Sequence, residues 1–171
     1  MAYSIDTSYF VRAWSVWYPF DVFPGVWQVM VSAAANGQIF VVEPARAEME
    51  KQIPDLVDLF DRNAPNWSLN VSGDHRLRIA LDSLEADLTA GQVIRSYAPQ
   101  NILKYMQVAD PFVILHAQLY DHVVVSNELP DIGDKKGPKI PDLCTIRNVQ
   151  HARPEEFAAT LGFVFQSVPI P

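Results

Sequence analysis

Tyr3-Ser4-Ile5-Asp6-Thr7-Ser8 decides the fold. A short apolar run ends in an aspartate followed by two hydroxyl residues. This is the pattern of a buried strand that delivers a carboxylate to its C-terminal end. In open α/β sheets, ligands bind outside those carboxyl ends. Working outward, Ile39-Phe40-Val41-Val42 is a continuous apolar run of strand length, as expected for a strand buried on both faces of a parallel sheet. His122-Val123-Val124-Val125-Ser126 reads as a third strand, Leu143 to Ile146 as a fourth, and Gly162 to Phe165 as a final strand or extended tail.

Helical patterns separate these runs. Phe10 to Trp14 begins one, which Tyr18-Pro19 and Phe23-Pro24 break. Val26, Trp27, Met30, Ala33 and Ala34 share a face, with Pro24 suited to the first position and Gly37 to the stop. Glu43-Pro44 opens a helix over Ala45 to Lys51, and Leu56 to Phe60 adds a turn or two. Asn63 to Ser72 reads as a loop. Asp74 then caps a helix with the apolar stripe Leu77, Ala80, Leu81, Leu84 and Leu88. Further helices are expected over Asn101 to Tyr105, from a cap at Asp110 with Pro111 just inside, and over Pro154 to Leu161. Asp131 to Pro141 is a polar loop. Helices alternating with short apolar strands predict one domain, residues 1–171, with a three-layer α/β/α sandwich around a mostly parallel sheet.

Composition narrows the function classes. The chain has 171 residues, 49% hydrophobic and 19% charged, which is globular and not disordered. No apolar run reaches the ~18–20 residues that span a bilayer. The start lacks a basic region followed by an apolar core, so no secretory signal is expected, and a lone Cys144 fits a reducing cytoplasm. The net charge of −7 argues against a general nucleic-acid binder. Clustered carboxylates around a metal would, however, contribute negative formal charge without repelling a phosphate once the metal is bound. His75, His116, His122 and His151 have no zinc-ligand spacing, and His116 reads as a hydrogen-bonded core residue.

Several acids sit at or beyond strand ends: Asp6 after the first, Glu43, Glu48 and Glu50 after the second, and Glu128 after the third, with Asp110 at the helix start before it. In a parallel sheet these groups converge on one edge. Carboxylates are the hard oxygen ligands that Mg²⁺ and Mn²⁺ prefer, and packed like charges call for a neutralising cation.

The chain resembles the PIN-domain superfamily, and within it a PIN-like branch of unknown-function proteins similar to VapC-type toxins. The resemblance rests on the order and spacing of several segments. They are Tyr3-Ser4-Ile5-Asp6-Thr7-Ser8, Tyr18-Pro19 with Val22-Phe23-Pro24 and Trp27, Pro44 to Glu50, Ala109-Asp110-Pro111-Phe112, Val124-Val125-Ser126-Asn127-Glu128, Lys139-Ile140-Pro141-Asp142-Leu143-Cys144, and Leu161-Gly162-Phe163 with Phe165. It implies a metal-dependent endoribonuclease, the toxin of a toxin–antitoxin pair. The partners it implies are an RNA substrate, a cognate antitoxin protein and, in a homodimer, a second copy of the chain. Asp6 and Asp110 are then the first and third acids. The second lies six positions after the proline that opens its helix, which favours Glu50, while a shift of two would select Glu48. Glu128 stands where many such toxins carry aspartate, and Asp142 is a further acid whose role is open. Asp6, Asp110 and Glu128 would hold Mg²⁺ or Mn²⁺, and Glu50 would complete the shell or orient a water. Ser8 and Ser126 would bond acid side chains or water, or serve as turn and cap residues. Lys135, Lys136 and Lys139 would meet the RNA backbone or belong to a solvated loop. The competing expectation is a PIN-like protein with a weak or inactive site that acts by binding a partner. Trp14, Trp17, Tyr18 and Trp27 are expected mainly in the core, some of them at an interface.

Overall fold

The computed structural model describes residues 1–91, 97–131 and 136–162. Among them are five strands in one all-parallel sheet: β1 (Tyr3–Ile5), β2 (Ile39–Val42), β3 (Ser68–Leu69), β4 (Val123–Val125) and β5 (His151–Ala152). Their order is β3-β2-β1-β4-β5, with Tyr3 beside both Ile39 and Val123. Helices pack on both faces, so β1, β2 and β4 are buried almost throughout; β2 and β4 are unbroken apolar runs, and the buried Ser4 of β1 shares a hydrogen bond of 3.0 Å with His122 Nδ1. The expected three-layer α/β/α architecture is the one observed.

The chain leaves β1 on one side through β2 and β3, then returns to the other side through β4 and β5. The switch point therefore lies between β1 and β4. The Asp6 amide donates to Val125 O at 2.9 Å, joining their carboxyl ends.

The helices are α1 (Thr7–Arg12), continued by a π-helical turn (Ala13–Trp17), α2 (Pro24–Ala35), α3 (Glu43–Gln52), α4 (Pro54–Asn63), α5 (His75–Thr89), α6 (Pro99–Tyr105), α7 (Asp110–Tyr120), α8 (Ile140–Ile146) and α9 (Pro154–Thr160). Seven of them, α2, α3, α4, α6, α7, α8 and α9, carry proline in the first two positions without a hydrogen bond from the side chain of the cap residue. There a missing N–H costs nothing and a fixed φ helps. Asp74 caps α5 as expected, accepting from Arg76 N and Leu77 N at 2.9 and 3.2 Å.

The structure departs from the sequence-based expectation in several places. Leu143 to Ile146 is the end of α8, not a strand. Ile140, Leu143 and Cys144 recur at helical spacing and are buried together. The loop from Asn63 to Ser72 contains β3, and β5 had no apolar run to announce it. Asp110 does not cap α7. The cap position is Ala109, and the Asp110 carboxyl in the first turn makes no capping bond. His116 is buried, but its Nδ1 has no hydrogen-bond partner among the described residues, contrary to the expectation of a bonded core residue. Trp27 is fully buried and donates to Tyr18 O at 2.7 Å, while Trp14, Trp17 and Tyr18 are half-buried against the core. The expected tail strand from Gly162 to Phe165 lies, beyond Gly162, outside the described residues. No described helix is long and apolar enough to cross a membrane.

Candidate active site

Four elements meet outside the carboxyl ends of β1 and β4 and enclose a cavity of about 480 Å³. Asp6 enters from the end of β1, Glu48 from α3, Asp110 from the start of α7, and Glu128 from the segment after β4. An open parallel sheet places its ligand crevice at this switch point.

Asp6 is 4% exposed. It doubles as the N-cap of α1, accepting from Ser8 N at 3.1 Å and from the Ser8 hydroxyl. The same hydroxyl accepts from Asn127 N at 3.4 Å, so Ser8 ties the first acid to the segment that carries Glu128. Burial pushes the Asp6 carboxyl up to about 6 against the lowering effect of Ser8, and the charges of Glu128 and Glu48 add to the rise. Asp110 is pushed up to about 8, by burial first and then by Asp6, Glu128 and Glu48, with Lys139 opposing. Asp6 and Asp110 thus both feel the charges of Glu48 and Glu128.

The acid that α3 brings to the cavity is Glu48, while the favoured Glu50 lies outside it. Ala45, Glu48, Met49 and Gln52 fall at i, i+3, i+4 and i+7 of α3, which is the inward stripe. Ala45 and Met49 enter the core, while Glu48 and Gln52 reach the cavity. Thr7 Oγ1 donates to Ala45 O at 3.2 Å and pins this stripe to α1. Glu48 Oε1 accepts the Ala109 amide at 3.2 Å, immediately before Asp110. Glu50 points to solvent on the opposite face, its side chain 59% exposed and paired with Arg46 at 3.4 Å.

Glu128 is fixed at the mouth of α8. Its Oε2 accepts Ile140 N at 2.9 Å, and its Oε1 lies 3.4 Å from Lys139 Nζ. Ser126 faces away from the acids toward β5. Its hydroxyl shares a hydrogen bond of 3.0 Å with His151 Nε2 and accepts Glu128 N at 3.4 Å, so it positions the strand end. Asp142 is buried and accepts Asp131 N at 2.8 Å, which makes it a tie across the base of the loop and not part of the acid cavity. Lys139 borders the site, and Lys135 lies outside the described residues.

The donor set, all carboxylate oxygen on a partly desolvated site, has the chemistry of a hard divalent cation. Among the described residues, however, no group of three or more His, Cys, Asp or Glu side chains is disposed to hold a metal ion as it stands. The oxygens are engaged instead by Ser8, Ala109, Ile140 and Lys139. Cys144 is buried and its thiol is pushed up to about 12 by desolvation, so it supplies no nucleophile.

Fold and site together define a parallel α/β domain with an acid-lined crevice at its topological switch point. Residues 3–165 match the family described as a domain of unknown function (DUF4411), and the chain belongs to that family. No curated protein and no solved structure matches it.

Proposed function

We propose that this chain is a PIN-like, metal-dependent endoribonuclease, acting in the cytoplasm as the toxin of a toxin–antitoxin pair. One observation carries the reading: acids from four separate elements line a single cavity at the switch point, and two of them are held where their charge is disfavoured. Scattered surface acids do not converge in this way.

Asp6, Asp110 and Glu128 would hold Mg²⁺ or Mn²⁺, and Glu48 would complete the set. When bound, such an ion supplies Lewis-acid polarisation of a phosphodiester and a water acidic enough to attack it. The chain supplies the rest. Ser8 orients Asp6. Asp110 retains a proton near neutrality in the ion-free pocket, so loading the site releases protons. Lys139, beside Glu128, offers a cation to substrate phosphate. The exposed apolar residues Val16, Phe20 and Val22 offer a surface to an antitoxin or a second copy, and Val16 lies at the cavity itself.

The second reading is a partner-binding protein with an inactive site. It is favoured by the engagement of Glu128 with Ile140 and Lys139, and by the lack of a ready metal-holding group among the described residues. The test is incubation of the purified chain with a mixed RNA pool in Mg²⁺, in Mn²⁺ and in chelator. Cleavage that needs the ion and disappears in Asp6→Asn supports the nuclease; cleavage that persists in Asp6→Asn overturns it.

A further inference from the structure

A second cavity, of about 400 Å³, opens on the far side of Asp110. Its walls come from α6 and from the segment that leads into α8. The first gives Lys104 and Tyr105, and the second gives Lys136, Gly137, Pro138 and Lys139. Asp110 borders both this cavity and the acid pocket, so the two are adjacent.

Their charges are opposite. Four carboxylates line the acid pocket, with Arg12 as the cation there. Three lysines line the neighbouring cavity, with Asp110 as its only carboxylate among the described residues. The lysine wall is also built and not merely a solvated loop. Gly137 lies on the ring of Tyr105, where an added Cβ would come within 2.7 Å of Tyr105 Cδ2. Close packing on α6 therefore fixes the backbone between Lys136 and Lys139. Tyr105 is 7% exposed, and its hydroxyl is buried with no hydrogen-bond partner among the described residues. It lies near enough to Asp110 and Glu128 to feel both charges.

We infer that the lysine-lined cavity is a subsite for a backbone phosphate of single-stranded RNA next to the scissile one, placing the chain across Asp110. The inference rests on the nuclease reading for the identity of the acid pocket. An RNA strand running from the acid pocket past Asp110 brings its next phosphate among Lys104, Lys136 and Lys139. Opposite charge on the two sides of Asp110 then sets the register of the strand, which the acids alone would leave free to slide.

The test uses the full chain carrying Asp6→Asn, which removes cleavage, and a labelled twelve-nucleotide oligouridylate followed by fluorescence anisotropy across a salt series. Loss of one phosphate contact lowers the slope of log affinity against log salt by ~0.7 and weakens binding about fivefold at ~0.1 M salt. Lys104→Ala and Lys136→Ala are each expected to do this. Arg78→Ala, an exposed cation on α5 outside both cavities, is expected to bind as the parent does. Unchanged affinity in both lysine variants overturns the subsite, as does an equal loss in Arg78→Ala. Failure of the nuclease reading has a different signature: the unsubstituted chain cuts no RNA while the lysine variants still weaken binding, and the subsite then stands as a binding feature.

Discussion

Asp6 and Asp110 are carboxylates held where ionisation is disfavoured. Each has an ordinary value of 3.8, raised in the folded chain to about 6 and about 8. Between those limits the folded chain binds more protons than the unfolded chain, so stability falls as pH rises. The loss runs from about pH 4 to 6 for Asp6 and from about pH 4 to 8 for Asp110. Asp110→Asn removes the charge and keeps the shape. In chelator at pH 8 it is expected to raise stability by on the order of 1–3 kcal/mol, since each tenfold change in proton affinity is worth ~1.4 kcal/mol. It should abolish RNA cleavage at the same time. Denaturant unfolding checks the first effect, and a destabilised variant would contradict the burial argument. The second acid separates as cleanly. Glu48→Gln should lower ion-dependent cleavage by ~10²-fold or more, and Glu50→Gln, on the solvent face, should leave it within about twofold. Side-by-side initial rates decide, and equal losses would return Glu50 to the site. Asp6 was legible because a strand end fixes where its side chain goes. Glu48 was less so, because two positions on a helix differ by about 200° and spacing from Pro44 does not say which face is inward. The signal was nonetheless present in Ala45 and Met49, the apolar neighbours of Glu48 on its stripe.

At the scale of the element, β2 and β4 could be read because strands buried on both faces are apolar runs, and β1 because Tyr3 and Ile5 lead into Asp6. The edge strands β3 and β5 have only two residues each and are half-buried, so no pattern marks them. For α8, the run Leu143 to Ile146 is too short for periodicity to separate strand from helix. Pro141 near its start was the better guide. The segment before α8 carries a testable demand. Gly137 sits against the Tyr105 ring at a distance a methyl group cannot share. Gly137→Ala must push the segment off α6 or turn the ring. A loss of about 1–3 kcal/mol in denaturant unfolding is expected, as for overpacking elsewhere. Wild-type stability in this variant would mean that the segment is not clamped.

Across the whole molecule, the sheet order brings together residues more than a hundred positions apart, from Asp6 to Glu128. No local pattern in the chain encodes that meeting. It follows from the long connection that returns β4 to the side of β1 away from β2. On the proposed nuclease reading, the same meeting would make stability depend on ions. Carboxylates forced together repel, and a divalent cation relieves both the repulsion and the raised proton affinity of Asp110. A ligand that binds only the folded chain stabilises it by mass action, and here it competes with protons for the same oxygens. Millimolar Mg²⁺ or Mn²⁺ should therefore raise the unfolding midpoint more at pH 8 than at pH 5, where Asp110 and much of Asp6 stay protonated. In Asp6→Asn the ion-dependent rise should shrink at both pH values, because the proposed site then lacks one of its carboxylates. Differential scanning fluorimetry with and without chelator makes the comparison. A midpoint that ignores the ion at pH 8 would favour the partner-binding reading over the nuclease.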